Sequence, residues 1–161
     1  MRLTLLAAAV SGAIVLMAGI ASAQHHGHQP RKGHDPAPTD TRVLVHFPPA
    51  LAAHTLANMR DHLLSLQEIN EALAAGQYDK AAKISEERLG MTSLRLHGAH
   101  EVAKYMPQGM QDAGSAMHRA ASRFAVTAQD AGVTGDLKPV LGALSEVMSA
   151  CVGCHAGYRL K

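Results

Sequence analysis

The chain is poor in aromatic residues, with no tryptophan, two phenylalanines and three tyrosines among 161 residues. Its apolar content therefore comes mostly from alanine, leucine, valine and methionine. These residues on the whole favour helices over sheets. The composition predicts an all-α fold.

The chain also lacks a surplus of either charge, with 15 Lys and Arg against 13 Asp and Glu. Removing residues 1–23, whose only charged side chain is Arg2, leaves 14 basic and 13 acidic side chains and a net charge of +1. Nucleic acids and anionic membranes are bound by strongly basic surfaces. We therefore expect neither as a partner.

Only two cysteines are present, and they stand in the segment Cys151-Val152-Gly153-Cys154-His155. A structural zinc site would need a second ligand pair, and a thioredoxin-like site would need a strand-helix-strand pattern; the sequence shows neither. C-x-x-C-H is the spacing that holds a haem covalently. On a helix both thiols share a face and can reach the two vinyl groups along one porphyrin edge. His155, once deprotonated, can then ligate the iron from one side.

Residues 1–23 have the pattern of a secretory signal peptide: Arg2, an apolar run from Leu3 to Ile20, and the cleavage site Ala21-Ser22-Ala23. An uncleaved membrane anchor is the alternative, because the run is just long enough to cross a bilayer. The small residues at the site and the polar sequence behind it favour cleavage. We expect a periplasmic protein without stable membrane insertion after cleavage.

Residues 24–45 are rich in His and Pro and predict a flexible arm. If cleavage follows residue 23, the segment Gln24-His25-His26 presents an amine, two amide nitrogens and an imidazole. Such a four-nitrogen set suits square-planar copper(II) or nickel(II), and His28 and His34 add further imidazoles. The alternative is a disordered polar leader without a metal, and cyclisation of Gln24 would remove the amine.

Four helices of matched length are predicted within the domain formed by residues 46–161. Their approximate bounds are Pro49 to Ala75, Tyr78 to Lys104 with Gly90 as a weak point, Gln108 to Ala131, and Asp136 to Tyr158. Their predicted core residues are Leu56, Met59, Leu63, Leu66, Leu73, Ile84, Met91, Leu94, Val102, Met110, Met117, Phe124, Ala128, Val140, Leu141, Leu144, Val147, Met148 and Cys151.

Residues 47–161 resemble the class II cytochromes c, which comprise the high-spin cytochromes c′ and their low-spin relatives. The resemblance lies in a C-x-x-C-H motif at the end of the last of four helices, followed by the pair Tyr158-Arg159. It extends to the turn Gly76-Gln77-Tyr78-Asp79 and to the Met-Pro-x-Gly segment from Met106 to Gly109. The resemblance implies an antiparallel up-down-up-down four-helix bundle with one covalent haem c near the carboxyl-terminal helix.

The resemblance also implies that the first helix covers the distal face of the iron, where low-spin members place a ligating methionine. Met59 falls near that position and is expected as the distal ligand opposite His155. A soft thioether favours ferrous iron and suits a carrier that changes its geometry little. Three alternatives stay open: Met59 as a gap-filling core residue, His62 as the sixth ligand, and an open distal face.

Arg159 stands four residues after His155 and resembles a family arginine near the proximal imidazole. It is expected as a haem contact that screens the imidazole or pairs with a propionate. The alternative is an ordinary solvated charge at the carboxyl terminus.

His97, His100 and His118 are candidates for a separate metal site together with Met110 or Met117. The alternative, which the sequence favours, is that these residues are surface histidines on an alanine-rich helix. Their spacing alone does not bring them together.

The sequence therefore predicts a periplasmic carrier of electrons with one haem, serving periplasmic redox proteins. It is not expected to be an enzyme, because no carboxylate pair or nucleophile with a base can be placed near the iron. The alternatives are a five-coordinate cytochrome c′ that binds nitric oxide or carbon monoxide, and a copper-handling module in which haem braces the fold. Pairing of two chains through their first helices, as family members often show, also stays open.

Overall fold

The computed structural model describes residues 39–161. The predicted signal peptide and the first part of the predicted arm, with its candidate copper site at Gln24-His25-His26, lie outside the described residues. The described chain is mostly helical, which confirms the all-α class. Its elements are β1 (Val43–Val45), α1 (Pro49–Ala74), α2 (Tyr78–Arg88), a 3-10 helix (Met91–Arg95), α3 (Ala99–Ala103), α4 (Gln108–Thr134), α5 (Leu137–Gly157) and β2 (Tyr158–Leu160).

Proline and glycine set the bounds of the long helices. Pro49 stands in the first turn of α1, where its fixed φ suits a helix and its missing N–H costs nothing. After α1, Gly76 adopts a φ of +67° and its N–H donates to the carbonyl of Leu73. Gly135 closes α4 in the same left-handed conformation. The predicted first, third and fourth helices are confirmed within a few residues at each end.

The single helix predicted from Tyr78 to Lys104 is wrong over its second half. The chain leaves α2 after Arg88 and continues as the 3-10 helix and α3. Side chains here bond to the backbone and compete with a continuous helix: the Ser93 hydroxyl donates to the Gly90 carbonyl at 2.7 Å, and the Thr92 hydroxyl to the Glu86 carbonyl at 2.7 Å. The break turns residues 89–98 across the end of α2.

The main core lies where α1 packs on α2, α2 on α4, and α4 on α5. A smaller cluster joins Val45, Phe47, Val102 and Met110 near the start of α1 and α4. The predicted core residues found buried are Leu73, Val102, Met110, Met117, Phe124, Ala128, Val140, Leu144 and Val147. Those found half-buried are Met59, Leu66, Ile84, Leu94 and Cys151.

The inward face of α1 differs from the predicted leucine stripe. Leu56 and Leu63 are 47% and 70% exposed, so their assignment to the core is wrong. The buried face of α1 instead carries small or polar residues together with aliphatic ones: Thr55, His62, Ser65, Ile69, Ala72 and Leu73. The buried Ser65 hydroxyl donates a hydrogen bond to the Asp61 carbonyl at 2.8 Å. Small side chains on this face let the neighbouring helix approach.

Three further predicted core residues are also exposed. Met91 lies on the surface because the 3-10 helix replaces the predicted helix at that point. Leu141 and Met148 lie on the outer side of α5, whose buried residues are Val140, Leu144 and Val147. A helix that packs mainly against one neighbour buries a narrower stripe than the apolar run of α5 suggested.

A short parallel pair of strands joins the two ends of the described chain. Val43, Leu44 and Val45 stand opposite Tyr158, Arg159 and Leu160 in register. The strand Val43–Val45 lies within the segment for which the sequence predicted a flexible arm. This pairing holds the residues that follow the C-x-x-C-H motif against the start of α1.

Among the described helices, α5 alone has the length and apolar composition to cross a membrane, with a mean hydropathy of 1.3. A core helix of a soluble protein meets the same conditions. Only 17% of the apolar window of α5 is buried, with Val140, Leu144 and Val147 as its buried residues. Length and composition alone do not distinguish the two kinds of helix.

Candidate functional site

A cavity of about 440 Å³ opens between α1, α4 and the carboxyl-terminal end of α5. Its walls are mostly apolar, and its volume lies within the range of small-molecule and cofactor sites, about 300 to 1,000 Å³. Residues of the second hydrophobic cluster, such as Val102 and Met110, form part of the wall. The cavity is therefore built into the helix packing.

The C-x-x-C-H motif occupies the last turns of α5 at one end of this cavity. Cys154 and His155 line the cavity, whereas Cys151 lies one turn earlier and packs against the main core. Both thiols are free and half-buried. Burial raises the pKa of both cysteines, so they are protonated thiols at neutral pH and slow to react on their own.

Met59, on α1, lines the same cavity. Its side chain is half-buried, and it shares the cavity lining with His155 and Cys154. The structure thus brings the expected proximal and distal ligands to one space. His155 itself is exposed at the end of α5.

Three cationic residues line the cavity near the thiol end: Arg42, Arg159 and Lys161. Arg159 lies in β2 and contacts Asp40 as an ion pair, with Nε and Oδ2 3.3 Å apart. Arg42 pairs with the same carboxylate at 2.8 Å. The hydrogen bond from Arg42 lowers the pKa of Asp40 to about 2, which keeps this carboxylate charged. Sequence reasoning singled out Arg159 but missed Arg42, because only the strand pairing brings Arg42 to the cavity.

Tyr158 links the motif to the beginning of α4. Its hydroxyl lies so close to Gly109 that a β-carbon at that position would be 2.5 Å from the oxygen. The two sequence features from Met106 to Gly109 and at Tyr158-Arg159 therefore meet in space. Glycine at position 109 is the residue that leaves room for the tyrosine.

A cluster of three imidazoles forms part of the cavity wall away from the motif. His62 and His97 have their Nε2 atoms 3.3 Å apart, and their ring centroids are separated by 4.6 Å. The ring of His118 lies 5.3 Å from that of His97 and 6.2 Å from that of His62. His100, which the sequence grouped with His97 and His118, is exposed on α3. His62 takes its place, and sequence reasoning weighed it only as an iron ligand.

The hydrogen bonds of the cluster define the tautomers of two imidazoles. Nδ1 of His118 lies 2.7 Å from the Leu89 carbonyl, which can only accept, so Nδ1 carries the proton. The Ser93 hydroxyl gives its proton to Gly90 and therefore accepts from Nδ1 of His97 at 3.4 Å. Both histidines then have a lone pair on Nε2.

Burial keeps all three imidazoles neutral near pH 7. Desolvation, followed by the neighbouring His97 and His118, lowers the pKa of His62 to about 4. Desolvation also lowers the pKa of His97 and of His118. In residues 39–161 no three His, Cys, Asp or Glu side chains stand as a complete metal-binding group, so the cluster is not a preformed three-ligand centre.

Comparison of the chain with protein-family models, curated proteins and solved structures found no match.

Proposed function

We propose that this protein is an exported cytochrome that carries electrons through one covalently bound haem. The haem would be attached by thioether bonds to Cys151 and Cys154, with His155 as the proximal iron ligand and Met59 as the distal ligand. The observation that carries the proposal is that Cys154 and His155 of the C-x-x-C-H motif line the same cavity as Met59.

The residues of the cavity fit a haem chemically. The apolar walls suit the porphyrin face. Cys154 lines the cavity and Cys151 lies one helical turn before it on α5, a spacing that suits two vinyl groups. Arg42, Arg159 and Lys161 supply positive charge to the cavity wall, which would suit the propionate groups of a haem. Arg159 is already paired with Asp40, so a contact with a propionate or with the imidazole would require its guanidinium to bind that carboxylate and the second group together.

The packing of α1 on α2, α2 on α4 and α4 on α5 supports an antiparallel bundle of these four helices. Short connections at residues 75–77 and 135–136 reverse the chain between neighbouring helices, and each pair joined in this way packs together. The resemblance to class II cytochromes c implies the same topology. The exposed leucines Leu56, Leu63 and Leu64 on α1 support pairing of two chains through their first helices.

Electron transfer follows from the ligand chemistry. The haem iron would supply the reversible ferric and ferrous couple, and a His and Met pair of ligands favours the reduced state. The chain's own contribution is to keep the coordination the same in both states and to exclude water with the apolar wall. A periplasmic redox protein would be the partner.

Gas binding is a second candidate, favoured by the extent of the cavity beyond Met59. The cavity wall continues from Met59 to His62 and His118, so a diatomic ligand would find space if the thioether does not bind iron. A copper-handling role would depend on the segment Gln24-His25-His26 of the arm, which lies outside the described residues.

A visible absorption spectrum of the purified exported protein separates the carrier from the gas-binding protein. The carrier is expected to be six-coordinate and low-spin when reduced, with a spectrum that carbon monoxide leaves unchanged. A high-spin reduced spectrum that shifts at once on addition of carbon monoxide would reject electron transfer through a His and Met ligated iron.

A further inference from the structure

The histidine cluster lies well apart from the C-x-x-C-H motif along α4. Tyr158, which follows the motif, contacts α4 at Gly109, and His118 is nine residues further along the same helix. At about 1.5 Å per residue this separation is roughly 13 Å. We call the part of the cavity lined by His62, His97 and His118 its inner end; on α1, His62 lies three residues after Met59.

The separation between His62 and His97 matches that of two ligands on one metal ion. Zinc binds imidazole nitrogen at about 2.0 to 2.1 Å, so two nitrogens on a tetrahedral zinc stand roughly 3.3 Å apart. Nε2 of His62 and Nε2 of His97 are 3.3 Å apart in this structure. Without an ion, the contact requires one of the two nitrogens to donate to the other.

The hydrogen-bond partners of the clustered histidines also support a metal site. Ligating histidines normally donate their other ring N–H to a carbonyl or hydroxyl oxygen, which fixes the lone pair toward the metal. His118 meets this condition through the Leu89 carbonyl, and His97 meets it through the Ser93 hydroxyl. Both residues line the cavity, from which an ion and its remaining water ligands can enter.

We infer that His62 and His97 bind a divalent metal ion of the zinc class at the inner end of the cavity, with His118 as a third ligand. The third ligand needs a turn of the His118 ring, since its centroid is 5.3 Å from that of His97 and three ligands do not yet converge. The fourth position is open to water from the cavity. This site is additional to the proposed haem iron.

Calorimetric titration of the purified holoprotein with zinc chloride tests the site. Substitutions His62→Ala and His97→Ala are each expected to remove one zinc from the stoichiometry of the wild type. His118→Ala is expected to weaken the binding of that zinc ion without changing the stoichiometry. His100→Ala is the matched control, because His100 is an exposed histidine three residues from His97 and should leave the titration unchanged.

The arm histidines can also bind zinc. They are present in every variant, so their contribution to the zinc stoichiometry is the same in the wild type and in each variant. His62→Gln and His97→Asn keep polar side chains in place and serve as second variants if alanine impairs folding, which circular dichroism monitors. Zinc should raise the thermal midpoint of the wild type and of His100→Ala more than that of the cluster variants. Equal zinc stoichiometry and affinity in all variants would overturn the inference.

A change in the haem spectrum separates this inference from the proposed function. If His62→Ala alters the iron ligation in zinc-free buffer, the pair belongs to the haem and the metal site is rejected. If the haem spectrum is unchanged and one zinc ion is lost, the zinc site is supported independently of the function of the haem.

Discussion

Tyr158 and Gly109 are packed so closely that a β-carbon on Gly109 would lie 2.5 Å from the tyrosine hydroxyl. This contact joins the residues after the C-x-x-C-H motif to the first turn of α4. It also explains why two segments about fifty residues apart in the sequence act as one wall of the cavity.

The substitution Gly109→Ala should displace the Tyr158 hydroxyl and lower the free energy of unfolding by about 0.5 to 1.5 kcal/mol, because the tyrosine side chain must leave its preferred rotamer to make room for the methyl group. Gly142→Ala is the control, since Gly142 lies within α5 and its β-carbon would meet nothing within 4 Å. That control should gain up to about 1 kcal/mol from the higher helix propensity of alanine. Urea unfolding measures both, and a Gly109→Ala protein as stable as Gly142→Ala would contradict the packing argument.

Met59→Ala should abolish the sulfur-to-iron absorption band of the oxidised protein and make the reduced protein bind carbon monoxide. The reason is that the thioether on α1 faces the cavity that holds His155. Met148→Ala is the control, because Met148 is an exposed methionine on α5 and should leave the spectrum as it is. Persistence of the band in Met59→Ala would mean that another residue ligates the iron.

Protein stability should fall as the pH is lowered from about 6.5 toward 4 in zinc-free buffer. His62 has its folded pKa lowered from 6.5 to about 4, so the unfolded chain binds a proton in this window that the folded chain does not. The stability linked to His62 is therefore complete above pH 6.5 and is lost as the pH falls through the folded pKa, with a total of up to about 3 kcal/mol.

Urea midpoints measured between pH 7 and pH 4.5 check this dependence. The variant His62→Gln should show a shallower decrease than the wild type, whereas His100→Ala should follow the wild type. An identical pH slope in His62→Gln would show that the buried imidazole is not the group responsible.

The sequence predicted the long helices well because local residues determine their ends. Pro49, Gly76 and Gly135 each act through their own backbone preferences, which do not depend on the rest of the fold. The end of α2 at Arg88 was harder to predict from the sequence. It depends on the Thr92 and Ser93 hydroxyls, which donate hydrogen bonds to backbone carbonyls earlier in the chain.

The inner end of the cavity was harder to predict than the motif. The C-x-x-C-H motif can be recognised from the sequence because its ligands are adjacent. His62 and His97 are 35 residues apart and meet only where α1 contacts the turn after the 3-10 helix. The periodicity of α1 favoured a face of leucines, and the actual buried face is rotated toward Thr55, His62 and Ser65. The spacing of apolar residues predicted helix α1 but not which of its faces is buried.

The covalent attachment of haem to Cys151 and Cys154 is tested most directly by the intact mass of the exported protein. Purified from a host competent for cytochrome maturation, the chain should carry the mass of one haem that acid and organic solvent do not extract. The double variant C151A/C154A should lose it. An unmodified polypeptide from the same host would contradict the account.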